Sequence, residues 1–104
     1  MPVYPEDKKV ADRLLAGDES AFAQFFDEYF ARLYRFAIVR LGDDPEAARE
    51  IVQSSLTKAM RGIAGYRGES ALFTWLCAIC RNDISDWRER QGRYREHVVL
   101  VEDL

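Results

Sequence analysis

Apolar residues recur at three- and four-residue steps along most of this chain, which is the spacing of one face of an α-helix. The longest run begins after Asp18 and continues until Gly42 interrupts it. Its apolar positions are Phe22, Phe25, Phe26, Tyr29, Leu33, Phe36 and Ala37. Aspartate is a favoured cap at the start of a helix, and Gly17 before it suits the end of a preceding helix. The pattern predicts a short helix at residues 7–15 followed by a long one.

Two further helices are predicted in the second half of the chain. Asp44 and Pro45 favour a helix start, because aspartate caps free N–H groups and proline fits the first helical position. The apolar face of this third helix consists of Ala48, Ile51, Val52, Leu56, Ala59 and Met60. After a glycine-containing loop, Ser70 is the predicted cap of a fourth helix that runs to about Gln91. Its predicted buried stripe consists of Phe73, Leu76, Cys80, Ile84 and Trp87.

These helices predict an all-α fold: a compact irregular bundle of three main helices plus a short N-terminal helix. No segment shows the alternating pattern of a strand. The 104 residues, of which 48% are hydrophobic, suffice for one modest core and therefore for one domain. No apolar run approaches the length of a membrane span, and the N-terminus lacks the features of a signal peptide. We therefore expect a cytoplasmic protein that is monomeric in isolation and does not bind membranes.

Charge is distributed unevenly around the net value of -3. Acidic residues outnumber basic ones in residues 1–50, whereas basic residues predominate in residues 58–95. An acidic half can serve a protein partner or only solubility, and an arginine-rich half can contact phosphates. An ordinary solvated surface explains the same charges equally well.

A polar stripe lies opposite the apolar face of the third predicted helix. It consists of Glu46, Glu50, Gln53 and Thr57. Packing does not explain these residues, so they are predicted to be available to a partner.

The loop and the fourth helix combine aromatic and basic residues. Those singled out are Tyr66, Arg67, Ser70, Trp75, Arg81, Asn82 and Arg88. Aromatic rings and guanidinium planes stack on unpaired bases, amides bond base edges, and arginines bind phosphates. Tyr66 and Trp75 fall off the best apolar stripe and are expected to be exposed, although aromatic residues at helical spacing often belong to a core.

An enzyme is not expected, because His97 is the only histidine and no catalytic triad can be placed on facing elements. Cys77 and Cys80 form a Cys-x-x-Cys pair, a spacing that can bind zinc or exchange thiols. Structural zinc requires four ligands, and thiol exchange requires a βαβ context that is missing here. The two cysteines are therefore interpreted as small core residues, and no metal or cofactor is predicted.

Several motifs resemble those of extracytoplasmic-function (ECF) sigma factors of the sigma-70 family. They are Gly-Asp-Glu-Ser-Ala-Phe at 17–22, Tyr-Phe-Ala-Arg-Leu-Tyr-Arg-Phe-Ala at 29–37, Glu-Ile-Val-Gln at 50–53, Tyr-Arg-Gly-Glu-Ser at 66–70, Thr-Trp-Leu at 74–76 and Arg-Asn at 81–82. The resemblance covers about residues 10–95, and it identifies residues 1–95 as a region 2 domain.

The resemblance implies a domain that binds core RNA polymerase and recognises and melts the promoter -10 element. The polar stripe, Glu46, Glu50, Gln53 and Thr57, would contact the clamp helices of the polymerase β′ subunit. The single-stranded non-template DNA would contact Tyr66, Arg67, Ser70, Trp75, Arg81, Asn82 and Arg88, near a flipped base. An anti-sigma factor is a further implied partner.

The sequence departs from the family pattern in two respects. Ser54 follows Gln53 where the family usually has an acidic residue, which implies one fewer polar contact to the clamp. The chain ends at Leu104, before the helix-turn-helix module of region 4, and residues 96–104 are expected to begin a linker or a disordered tail.

Two alternatives from other classes remain open. One is a helical adaptor that keeps the sigma fold but binds only protein. The other is a metal or thiol sensor that uses Cys77 and Cys80. Affinity for single-stranded -10 DNA separates the first alternative from a promoter-recognition domain, and an assay for bound metal separates the second.

Overall fold

The computed structural model describes the backbone of residues 1–102 and the side chains of residues 1–95. The helices are α1 (Pro5–Leu15), α2 (Glu19–Arg40), α3 (Pro45–Gly62) and α4 (Leu72–Glu102), with a short 3₁₀ turn at Ile63–Gly65. Within the described backbone there is no strand, so the predicted all-α fold is confirmed. The backbone of residues 96–102 continues α4, and the expectation that residues 96–104 begin a linker stays a prediction. None of the described helices is long and apolar enough to cross a membrane.

Helices α2 and α3 begin at the predicted caps. The Oδ1 atom of Asp18 accepts a hydrogen bond from the backbone N–H of Ala21 at 3.0 Å, and Asp44 accepts one from Ala47 at 3.1 Å. Each bond satisfies one of the N–H groups that a helix leaves free in its first turn. The predicted starts of both helices are therefore confirmed.

The predicted limits of α4 are wrong at both ends. The helix starts at Leu72, and its first N–H is capped by Asp7 of α1, whose Oδ2 atom lies 2.8 Å away, instead of by Ser70. It also continues past Gly92 to Glu102. A single glycine costs only about 1 kcal/mol inside a helix, which good helix formers on either side can offset.

The core lies where α2, α3 and α4 pack against one another, and α1 covers α2 and the 3₁₀ turn. Its fully buried side chains include Leu33, Val52, Leu72, Leu76 and Cys80. Two predicted core positions of α2 are wrong, because the side chains of Phe22 and Phe26 are 46% and 37% exposed.

The buried face of α2 consists of Ala21, Phe25, Tyr29, Leu33 and Ala37. This four-residue repeat lies one position away from the exposed phenylalanines, so their rings border the core without entering it. Phe36, Met60, Phe73 and Trp87, which were also predicted as core, are only half-buried. The sequence pattern thus predicts correctly which face of each helix is buried, but it overestimates how many apolar residues on that face reach the core.

A buried polar network joins α3 to α4. Asp83 is 4% exposed, and its Oδ2 atom lies 2.7 Å from the hydroxyl of Ser55. That hydroxyl also lies 2.8 Å from the carbonyl oxygen of Ile51. The Oδ1 atom of Asp83 pairs with the ammonium group of Lys58. Both carboxylate oxygens therefore have partners, as a buried charge requires.

Candidate nucleic-acid interface

The loop between α3 and α4 forms an open surface cavity of about 350 Å³. It is lined by Gly65, Tyr66, Arg67, Glu69, Ser70 and Trp75. The structure thus brings together four of the residues predicted to contact DNA, although they come from a loop and from the first turn of a helix.

Tyr66 forms part of the structure of this cavity. Its side chain is 2% exposed, its hydroxyl donates to the carbonyl oxygen of Ser70 at 2.6 Å, and its ring centroid lies 5.4 Å from that of Trp75. Burial raises the pKa of the Tyr66 phenol to about 12, so it remains a hydrogen-bond donor at neutral pH. The expectation that Tyr66 is exposed is therefore wrong.

The other residues that line the cavity differ in their solvent exposure. Arg67 is exposed, whereas Trp75 and Ser70 are half-buried. The Trp75 ring is tilted by 54° to that of Tyr66 and packs against the core, so the expectation that it is exposed is wrong, although part of its surface stays accessible. A supported but accessible indole can stack on a planar ligand without first having to be ordered.

Asn82 is exposed on α4 but does not line the cavity. It lies seven residues beyond Trp75, about two helical turns, and therefore on the same face of the helix. Its amide and the Trp75 ring can contact one extended ligand that runs along α4.

Arg81 and Arg88 lie beside the end of α2 instead of at the cavity. The Arg81 guanidinium is 5.4 Å from the ring centroid of Phe36, and Arg88 donates to the carbonyl oxygen of Arg40 at 2.5 Å. The guanidinium of Arg40 also covers Phe36, at 3.7 Å. Two arginines thus lie over one aromatic ring, and Arg88 bonds the backbone of one of them.

Arg40 was not predicted from the sequence to join Arg81 and Arg88. The available signal was its position four residues after Phe36 on a predicted helix, where the two side chains are neighbours. No carboxylate among the described side chains of residues 1–95 forms an ion pair with Arg40, Arg81 or Arg88. Their charges remain available to an anion in solution.

The polar stripe of α3 is exposed, as predicted: Glu46, Glu50, Gln53 and Thr57 all lie on the surface. Gln53 and Thr57 border an apolar groove of about 340 Å³ between α2 and α3. The groove is lined by Phe22, Phe25, Phe26, Gln53, Leu56, Thr57 and Met60. The stripe is therefore the edge of a mixed polar and apolar surface.

Glu50 lies at a different part of the α3 surface from this groove. It lines a cavity of about 240 Å³ together with Ile51, Ser54, Lys58, Asp83 and Arg90. Ser54 is half-buried there. The polar stripe thus connects the apolar groove with a charged cavity over the Lys58–Asp83 pair.

Cys77 and Cys80 are both buried and unpaired, which confirms their interpretation as small core residues. Burial raises the pKa of both thiols, so neither is a reactive thiolate at neutral pH. Within the described residues, no group of three or more histidine, cysteine or acidic side chains is arranged to hold a metal ion.

Comparison with known proteins gives a family match. The family model for Sigma-70 region 2 matches residues 25–94, which is more than half of the chain. The matched segment includes the polar stripe, the loop cavity and most of α4. No solved structure matches the chain.

Curated relatives agree with this match. The RNA polymerase sigma-H factor of Pseudomonas aeruginosa is 31% identical over 93 residues, covering 89% of this chain and 48% of that protein. The ECF RNA polymerase sigma-E factor of Haemophilus influenzae is 35% identical over 102 residues, covering 93% and 51% respectively. That of Escherichia coli is 32% identical over 89 residues, covering 84% and 44%.

An all-helical domain with this match is a sigma-70 region 2 domain. The chain belongs to the ECF group of the sigma-70 family. It spans about half the length of the curated relatives it matches.

Proposed function

We propose that this domain binds core RNA polymerase and recognises and melts the promoter -10 element as opened, non-template DNA in the cytoplasm. Membership of the sigma-70 family supports the proposal. The observation that carries it is the loop cavity, where the accessible part of Trp75 lies beside exposed Arg67. No covalent chemistry is required, because holding the open strand is enough to favour melting.

The DNA would be held as a single strand. An unpaired base presents a face for stacking, which is worth roughly 1–3 kcal/mol per base. Trp75, supported by Tyr66, supplies the matching ring. Asn82, further along the same face of α4, supplies an amide for a base edge, and Arg67 and Ser70 complete the rim of the cavity.

The arginine cluster would follow the DNA backbone. Arg81 and Arg88, together with Arg40, offer three guanidinium groups to phosphates. Such contacts position the strand, give no base preference and make binding dependent on salt. Since the net charge is -3, the free domain is expected to bind duplex DNA weakly and to need an opened strand.

Replacing Asn82 with alanine is expected to lower the preference for the favoured base about tenfold, since one good base-edge contact contributes about 1–3 kcal/mol.

Replacing Arg88 with alanine should instead weaken binding to all sequences alike and reduce the salt dependence. Fluorescence anisotropy with short non-template oligonucleotides, with and without core polymerase, measures both effects.

Gln24→Ala is the matched control for Asn82→Ala, because Gln24 is likewise an exposed amide on a helix and lines neither the loop cavity nor the apolar groove. Equal affinity of the wild type for all oligonucleotides, or tighter binding to duplex than to single strand, would favour the helical adaptor.

The polymerase would bind the polar stripe and the adjoining groove. Glu46, Glu50, Gln53 and Thr57 can pair with polar groups of the β′ clamp helices, while the exposed rings of Phe22 and Phe26 cover apolar surface beside them. An interface with an apolar centre and a polar edge is typical of specific protein complexes. An anti-sigma factor that covered the same surface would keep the domain off the polymerase.

The double variant Glu50→Lys/Gln53→Ala is expected to weaken binding to a β′ clamp fragment about tenfold or more, because it puts a like charge where an opposite charge is recognised. Glu6→Lys makes the same charge change on α1 and is the control. A pull-down or calorimetric titration gives the affinity, and circular dichroism verifies the fold. Unchanged affinity in the double variant would contradict this assignment.

A further inference from the structure

The N-terminal segment, residues 2–8, packs directly on the loop that forms the cavity. The backbone N–H of Tyr4 donates to the carbonyl oxygen of Gly68 at 2.8 Å. Gly68 has a φ of +72°, and a Cβ atom there would lie 2.8 Å from the Cβ of Pro2 and 3.1 Å from that of Lys8. Only glycine permits both this backbone conformation and this close approach. The segment and the loop are therefore fitted to each other.

A second contact joins the same segment to α4. The Oδ2 atom of Asp7 accepts a hydrogen bond from the N–H of Leu72, the first residue of that helix, at 2.8 Å. Leu72 itself is fully buried. A carboxylate at this position is stabilised by the free N–H groups and by the positive end of the helix dipole. Asp7 thus supplies, from another helix, the cap that Ser70 was expected to supply locally.

This cap lies one turn away from the ring proposed to stack on the base. Trp75 follows Leu72 by three residues, and its N–H bonds to the carbonyl oxygen of Ala71, at the very start of α4. Fraying of the first turn would therefore move the ring relative to Tyr66, which is held in the loop by its bond to Ser70. The position of the Trp75 ring therefore depends both on the Asp7 cap at Leu72 and on the Tyr66–Ser70 hydrogen bond in the loop.

We propose that Asp7 is a positioning residue for base capture: by capping α4 from α1, it fixes the Trp75 ring and the loop cavity before DNA arrives. This inference rests on the proposed function. It assigns to the N-terminal helix, which lies outside the family match at residues 25–94, a role in the base preference of the domain. A preformed site loses less conformational entropy on binding than one that must be ordered by its ligand.

Replacing Asp7 with alanine is expected to lower the ratio of affinities for favoured and disfavoured bases about fivefold, the factor that corresponds to a typical N-cap hydrogen bond. Asp7→Asn, whose amide oxygen can still accept from Leu72, should keep most of the ratio. Asp12→Ala is the control, since Asp12 is exposed on the same helix and only pairs with Lys8. Affinity for the clamp fragment should stay unchanged in all three variants.

Amide hydrogen exchange in the free protein gives a second measurement that needs no DNA. Exchange at residues 66–75 should become faster in Asp7→Ala and not in Asp12→Ala, while exchange in the centres of α2 and α3 stays slow. If Asp7→Ala does not fold, Asp7→Ser replaces it, because its hydroxyl oxygen is one bond closer to the backbone than the carboxylate oxygen and so weakens the bond to the Leu72 N–H while keeping a polar side chain that water can solvate.

The outcomes separate this inference from the proposed function. A wild type with no base preference on opened strands would contradict both. A wild type with a clear preference that Asp7→Ala retains, or unchanged exchange at residues 66–75, would overturn the role of Asp7 alone. A reduced ratio together with faster local exchange, rescued by Asp7→Asn, supports it.

Discussion

Replacing Lys58 with methionine is expected to destabilise the domain by about 2–3 kcal/mol, because it leaves the Asp83 carboxylate buried without a cation. Asp83 is only 4% exposed, and its remaining side-chain partner is the Ser55 hydroxyl. The loss should be smaller than the 3–5 kcal/mol typical of a fully buried pair, since Lys58 is 52% exposed and water can replace part of its contact. Urea denaturation followed by circular dichroism measures the free energy of unfolding.

The double variant Lys58→Met/Asp83→Leu should recover most of this loss, because replacing both partners by apolar groups leaves no unpaired charge. Lys9→Met is the matched control, since Lys9 and its partner Glu6 are 69% and 84% exposed. Its effect is expected to stay within about 0.5 kcal/mol. A loss below about 1 kcal/mol in Lys58→Met would mean that water solvates Asp83 well enough without the lysine.

Replacing Leu76 with alanine is expected to cost about 3 kcal/mol in the free energy of unfolding, within the 2–5 kcal/mol range for buried leucines. Leu76 is fully buried in α4, in the core that joins this helix to α2 and α3. Truncation leaves a cavity that close-packed neighbours can fill only in part. For a domain of this size the midpoint of thermal unfolding should fall by more than about 10 °C.

Leu15→Ala removes the same atoms from a side chain that is 50% exposed at the end of α1, and it is the control. We expect it to lower the free energy of unfolding by less than about 1 kcal/mol. Equal losses in the two variants would mean that the core around α4 collapses onto the smaller side chain, which would contradict the packing described above.

The sequence predicts the elements of the fold because its signals are local. Asp18 and Asp44 cap helices within three residues of themselves, so a short stretch of chain contains all the information needed. The start of α4 could not be predicted in this way, because its cap comes from Asp7, which is remote in sequence. Its extension beyond Gly92 depends on the balance of weak helix propensities, which a glycine shifts only slightly.

The sequence predicted which residue types form the candidate site, but it did not predict how they are arranged in space. Residue types that suit unpaired DNA are visible in the sequence, and Tyr66, Arg67, Ser70 and Trp75 do line one cavity. The burial of Tyr66 could not be foreseen, since it results from the loop folding back so that the hydroxyl reaches Ser70. The pairing of Asp83 with Lys58 depends on how α3 and α4 face each other, which no periodicity specifies.

The contact between Asp7 and Leu72 joins positions 65 residues apart, which affects the order in which the domain folds. Neighbouring helices can pair early, because the loops that connect them are short and cost little entropy to close. We expect the N-terminal segment to dock only after the start of α4, which is remote in sequence, has formed. We therefore expect the loop cavity to be completed late in folding and to be among the first parts to open when the protein is warmed.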